Sequence, residues 1–286
     1  MAVGPYGALL ELVRGVRWPA RRPALGGAPG DHTARTRGVA PEFAEYRPYR
    51  QGDDPRRLDW KLLGRSDRAF IRLAPDRSVL GTLVVVDATA SMAFGAKWSM
   101  ARRVAVACAA IAHAGGDPVG LAVAARAGLT RFALRTRRDV VAEIARTLDA
   151  VEPGGSTGLA DALSRAPSRV LVVTDCLGDL EALRRASGAH VAGGGEVHVA
   201  HVVARAELAP RRGAWLVADP EDESVTATLS DETRAAYEGA FGTWRDEVAL
   251  GWRRCGVSYV QLVDDQAADI VVRRVASGAR TAAVRP

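Results

Sequence analysis

Apolar residues along this chain fall into two patterns. Four stretches are almost continuously apolar: 83–86, 170–173, 197–203 and 257–262. Runs of that length without polar alternation predict strands buried on both faces. Between them, good helix formers and apolar residues three or four apart predict helices over 98–114, 139–148, 180–186, 231–255 and 267–275. A short helix is expected over 159–164. Gly115-Gly116 ends the first of these helices. Residues 119–124 and 130–134 read as strands about a turn at Gly128. Residues 215–218 and 225–228 flank Pro220-Glu221-Asp222 as a hairpin. Buried strands alternating with helices predict an α/β fold, a doubly wound and mainly parallel sheet with helices on both faces.

Residues 1–80 lack any sustained period, and the chain divides into an N-terminal arm, 1–80, and a domain, 81–286. Residues 26–38 are small, polar and turn-prone, and read as loop. Residues 42–72 are dense in charge yet carry Phe43, Tyr46, Tyr49, Leu58, Trp60, Phe70 and Ile71. The arm is therefore expected to be ordered against the domain, with Tyr49 and Trp60 as packing anchors. Arg47, Asp53, Asp54, Arg56, Asp59 and Arg65 are expected to form a salt-bridge network within it.

Composition narrows the classes. The chain has 286 residues, 48% hydrophobic and 25% charged, enough for a sizeable core. No apolar stretch approaches the roughly 18–20 residues of a membrane span, and no signal peptide is evident. Three scattered cysteines, Cys108, Cys176 and Cys255, do not make a disulfide framework. A reducing, cytoplasmic location is expected. The net charge of +6 comes almost entirely from arginine, since Lys61 and Lys97 are the only lysines. No basic run is interleaved with aromatics, so nucleic-acid binding ranks as a minor alternative. The histidines carry no metal-ligand spacing. His198 and His201 are an odd number apart on a strand and so face opposite sides.

The candidate chemistry lies where strands end. Ligands of open α/β sheets bind beyond the carboxyl ends of the strands. The first apolar run ends in Asp87-Ala88-Thr89-Ala90-Ser91, in which alternate residues offer one carboxylate and two hydroxyls to one point. Gly154-Gly155-Ser156-Thr157-Gly158 offers two more hydroxyls but lacks the lysine of a phosphate-binding loop. Thr174-Asp175 ends the second run. Carboxylates and hydroxyls in this mixture suit a hard cation such as Mg²⁺ or Mn²⁺.

These motifs resemble the metal-ion-dependent adhesion site of von Willebrand factor A domains. The usual first motif is D-x-S-x-S, and Thr stands here at the middle position. The resemblance makes Asp87, Thr89, Ser91, Thr157 and Asp175 the metal ligands, with Ser156 the weaker choice in the second loop. The arm carries a second likeness. Phe43-Ala44-Glu45-Tyr46-Arg47-Pro48-Tyr49, Gly52-Asp53-Asp54-Pro55-Arg56-Arg57-Leu58-Asp59-Trp60 and Gly64-Arg65-Ser66-Asp67 resemble the signature of the family known as "domain of unknown function fifty-eight". Asp219-Pro220-Glu221 is similar to a further feature of that family. The likeness spans roughly residues 35–265. Many members carry two transmembrane helices ahead of the arm, and this chain resembles the form without them.

The resemblance implies a von Willebrand factor A-like domain acting as a non-catalytic, metal-dependent protein-interaction module. It also implies a partner that donates a carboxylate to the metal. A MoxR-type AAA+ ATPase, served as adapter or co-chaperone, is the partner implied. A metal-dependent hydrolase or phosphatase using Asp87 and Asp175 is the rival. Against it, Thr89 stands where aspartyl phosphotransferases carry a second acid, and no acid–base group sits in a recognisable motif.

Overall fold

The computed structural model describes residues 4–20, 45–49, 58–66, 68–73, 80–213, 215–218 and 226–278. It resolves into two compact units, Met1–Trp18 with Gly81–Pro286, and Pro19–Leu80. In chain order the strands are β1 (Glu45–Pro48), β2 (Phe70–Leu73), β3 (Thr82–Asp87), β4 (Val119–Ala125), β5 (Gly128–Arg135), β6 (Arg169–Thr174), β7 (Glu196–Val203), β8 (Trp215–Ala218), β9 (Thr226–Leu229) and β10 (Ser258–Val263). The α-helices are α1 (Gly7–Leu12), α2 (Trp60–Ser66), α3 (Lys97–Ala114), α4 (Val140–Asp149), α5 (Leu180–Ala192), α6 (Arg205–Leu208), α7 (Asp231–Arg254) and α8 (Ala268–Ser277).

The larger unit is built on a six-stranded sheet ordered β10-β7-β6-β3-β4-β5. Five strands run parallel, and β5 pairs antiparallel to β4 at the edge. This is the doubly wound, mainly parallel sheet expected, in von Willebrand factor A-like order. The period-two rule shows within β3. Val84 and Val86 enter one core with α1, α3, α4 and α8, while Leu83 and Val85 enter the other, with Leu183 of α5 and Trp252 of α7. His198 and His201 divide in the same way. His198 meets Trp18 edge-on, and His201 bonds Tyr259 through Nδ1 at 2.7 Å.

Chain order reverses at one place in the sheet. β3 connects on one side to β4 and lies on the other against β6, three strands later in chain order. A crevice opens beyond the carboxyl ends at such a switch point. It puts the residues after β3 and β6 side by side.

The N-terminal boundary differs from the sequence reading. Tyr6, Leu9, Val13 and Trp18 are each 3–5% exposed and belong to the core beside α3. The Tyr6 hydroxyl donates to Asp149 at 2.5 Å, and Arg169 Nη2 donates to the Trp18 carbonyl at 3.0 Å. The first 18 residues therefore belong with the domain, because their apolar face completes it. Two other elements differ in detail. The short helix near 160 is a 3-10 turn, Ala160–Leu163. Helix α5 runs six residues past its expected end, with Leu183, Ser187 and Val191 buried four apart along one face.

In the smaller unit, β1 pairs antiparallel to β2 with Glu45 opposite Leu73. Asp59 caps α2, its Oδ1 accepting the N–H groups of Lys61 and Leu62, each at 3.0 Å. Trp60 is 66% exposed. It opens α2, a helix that buries none of its residues, and so is not the packing anchor expected. Tyr49 is half-buried. The loop expected over 26–38, Asp53, Asp54 and Arg56 of the expected network, and the Pro220-Glu221-Asp222 turn lie outside the described residues.

Candidate metal centre

Asp87 ends β3 and is 3% exposed. Its Oδ1 accepts the Thr89 N–H at 3.0 Å and the Thr89 hydroxyl at 2.6 Å. Its Oδ2 accepts the Thr174 hydroxyl at 2.7 Å. The Ser91 hydroxyl lies 3.3 Å from that of Thr89, on the 3-10 turn Ala90–Ala93. One carboxylate and three hydroxyls are thus gathered at the switch point. In the sequence Thr174 stands out only as the neighbour of Asp175. Its position at the last register of β6, opposite the end of β3, is what makes it a partner of Asp87.

Backbone bonds lock the second loop to the first. The Ala90 N–H donates to the Gly155 carbonyl at 2.9 Å, and the Gly154 N–H to the Ala88 carbonyl at 2.8 Å. Gly155 is required there. Its φ is +74°, and a Cβ would stand 2.7 Å from the Arg126 Cα. Thr157 follows, but its hydroxyl donates to the Ala125 carbonyl at 2.7 Å and is not bonded to the Asp87 cluster. Asp87, Thr89, Ser156, Thr157 and Thr174 share a cleft of about 430 Å³, with Leu177 and Leu180 among its apolar walls.

Asp175 is 3% exposed and committed elsewhere. Its Oδ2 pairs with Lys97 Nζ at 2.8 Å, and its Oδ1 accepts the Leu177 N–H at 3.2 Å. Lys97 also pairs with Glu207 Oε1 at 3.0 Å. Burial disfavours the Lys97 ammonium, yet the two carboxylates outweigh it and hold its pKa above the ordinary lysine value. Sequence reasoning passed over this lysine. The available signal was its rarity in an arginine-dominated chain, at the start of the helix that follows the Asp87 loop.

Burial, then the neighbouring Asp175 charge, pushes the Asp87 carboxyl up to about 6, against the hydrogen bonds from Thr174 and Thr89 that favour ionisation. Cys176 adjoins the cluster at φ +62°, but it is 4% exposed and burial raises its thiol pKa far above the usual range. It is an inert thiol in this state.

Among the described residues, no three His, Cys, Asp or Glu side chains are grouped to hold a metal. The donor set is instead one carboxylate held by neutral donors, with hydroxyls, and a second carboxylate already paired with Lys97. That set fits a hard divalent cation that retains several waters. Asp87, Thr89 and Ser91 converge. Asp175 adjoins them with its charge compensated, and Thr157 stands across the cleft.

Residues 45–246 match the family described as "Protein of unknown function DUF58". The chain belongs to that family. Uncharacterized proteins of Mycobacterium bovis and Mycobacterium tuberculosis are each 32% identical to it over 271 residues, 88% of this chain and 84% of theirs. Among solved structures, BatB from Bacteroides thetaiotaomicron is 13% identical with a TM-score of 0.44, covering 69% of this chain and 97% of that one. An aerotolerance-related membrane protein from Bacteroides fragilis is 14% identical with a TM-score of 0.44, covering 70% and 98%. The fold of this DUF58 chain is carried by the strand order given above. No helix among its described residues is long and apolar enough to cross a membrane.

Proposed function

We propose that this DUF58 chain is a divalent-cation-dependent protein-interaction module and not a catalyst. The observation that carries the reading is the gathering of Asp87, Thr89 and Thr174 on the cleft at the switch point, with the Ser91 hydroxyl beside that of Thr89. Asp87 and the hydroxyls of Thr89 and Ser91 would hold Mg²⁺ or Mn²⁺, with Asp175 beside them and Thr157 on the facing loop. A cation bound there supplies a Lewis-acidic position for a carboxylate from outside the chain. The chain's own residues line one side of the cleft with Leu177 and Leu180 and orient the donors through the bonds between the two loops. Three hydrogen bonds tie down both oxygens of Asp87, which disfavours its use as a nucleophile. The partner we propose is a protein presenting an Asp or Glu, with a MoxR-type AAA+ ATPase as the first candidate by family resemblance.

Calorimetric titration with Mg²⁺ and Mn²⁺ tests the cation. Wild type should bind, and Asp87→Ala should not. Surface-immobilised protein then tests the partner: a purified MoxR-type ATPase should bind wild type with Mg²⁺ and be released by EDTA. Equal binding to wild type, to Asp87→Ala and in EDTA would refute cation-dependent recognition.

A further inference from the structure

The ion group around Lys97 is buried beside the candidate cation site. Lys97 is 1% exposed at the first residue of α3. All four oxygens of its two carboxylate partners are occupied. Asp175 takes Lys97 and the Leu177 N–H, while Glu207 takes Lys97 and the Ala204 N–H, the last at 2.7 Å. The turn before Lys97 is fixed as well. Asp264 accepts the Ala96 N–H on Oδ2 and the Arg205 N–H on Oδ1, both at 2.8 Å. At Gly95, with φ +62°, a Cβ would stand 2.8 Å from the Asp264 carboxylate, so only glycine allows that approach. Four strand-end loops therefore hold the ammonium against Asp175. The groups that bond Asp87 are neutral by contrast: one backbone N–H and two hydroxyls. Of two neighbouring carboxylates, one has an internal cation and the other does not.

We infer that Lys97 sets the charge of the carboxylate pair at the cation site: it neutralises Asp175 and leaves Asp87 as the uncompensated member of that pair, so that a divalent cation keeps positive charge for an external carboxylate. This inference rests on the cation reading above and names how the chain regulates that site. It has a consequence that a purely structural role lacks. Removing the Lys97 charge should move cation affinity and carboxylate affinity in opposite directions. Freed Asp175 adds negative charge beside the cation, tightening it. The same charge weakens the hold on an outside carboxylate.

The experiment uses the full chain, Mn²⁺ as cation and acetate as carboxylate. Mn²⁺ affinity is read by calorimetry. Acetate binding to Mn²⁺-loaded protein is read from water-proton relaxation, which falls as bound water is displaced. In Lys97→Met, Mn²⁺ should bind about tenfold tighter or more, and acetate about tenfold weaker, the scale of one nearby charge. Lys97→Met/Glu207→Gln leaves the net charge of the chain unchanged and removes the stranded second carboxylate. It should show the same opposed changes, and it decides the matter if the single variant does not fold. Lys97→Arg keeps the charge and should return both values to wild type. Affinities that both fall in the folded double variant, or that both stay unchanged, would overturn the inference and leave the cation site standing. Wild type that binds no Mn²⁺ would overturn the cation reading itself, and this inference with it.

Discussion

Asp87→Asn should stabilise the cation-free protein at neutral pH and abolish its response to Mg²⁺. Asp87 is almost fully buried, and its pKa is pushed up from 3.8 to about 6. A carboxylate whose folded pKa is raised helps the fold only while protonated. Its contribution is complete below about pH 4 and lost as pH rises through about 6. At pH 7.5 the ionised group therefore costs the fold about 3 kcal/mol at most. Asn has the same shape, keeps an acceptor for the Thr89 N–H and cannot ionise. In EDTA at pH 7.5 the variant should gain about 1–3 kcal/mol, read as a rise of roughly 2–4 °C in Tm per kcal/mol for a domain of this size. At pH 4 the two proteins should melt together. Mg²⁺ at a hundred times its Kd should raise wild type by about 2.7 kcal/mol and leave the variant unmoved. Thermal melts from pH 4 to 8, with Mg²⁺ and with EDTA, give every arm. The reasoning fails if Asp87→Asn melts below wild type at pH 7.5 in EDTA. Asp87 would then be a turn cap, holding Thr89 for stability alone.

Arg169→Met should lose about 3–5 kcal/mol in urea denaturation, because it removes the buried guanidinium that pairs with Asp117 and Glu196 and donates to the Trp18 carbonyl; unchanged stability would show that the network is solvated. Deleting residues 1–18 uncovers the core beneath Tyr6, Leu9, Val13 and Trp18, each worth about 1.5–3 kcal/mol. The truncated chain should bind a hydrophobic dye and melt early, and a truncation with wild-type melting would make α1 an appendage. Thr157→Ala should weaken Mn²⁺ less than Asp87→Ala does in calorimetry, since the Thr157 hydroxyl is bonded to Ala125. Equal losses would put Thr157 in direct contact with the cation.

Strands buried on both faces announce themselves without context, and the runs ending at Asp87 and Asp175 were legible for that reason. Their adjacency was legible too, once the alternation of strands and helices implied a doubly wound sheet, because the switch point brings two such ends together. What escaped the sequence depended on contacts between distant segments. Tyr6 and Trp18 sit in an Arg- and Pro-rich stretch whose apolar residues show no clean period, so nothing local says that they complete a core far along the chain. Thr174 shares a strand end with Asp175, but only the register across β3 and β6 decides which of the two faces Asp87. Lys97 stands one residue ahead of the helix expected over 98–114 and carries no local sign of burial, which is set by Asp175 and Glu207, 78 and 110 residues away. The exposed Trp60 errs the other way, since an aromatic in a charged segment invites a buried reading that its place at the start of α2 does not support.

The division of labour between the two carboxylates would let the proposed cation site recognise a carboxylate from outside the chain. If Asp87 and Asp175 were both unpaired, a divalent cation would be neutral where it sits, and a third carboxylate would meet no net attraction to offset its desolvation. If both were paired with internal cations, the divalent ion would have no anchor. Lys97 supplies the intermediate case: one buried ion pair, closed on all its oxygens, beside one carboxylate held by neutral donors. A buried ion pair of this kind contributes little net stability against apolar residues of the same size. Its presence beside the one cleft that Asp87 lines is therefore better accounted for by what it does to the charge of that cleft than by what it adds to the fold.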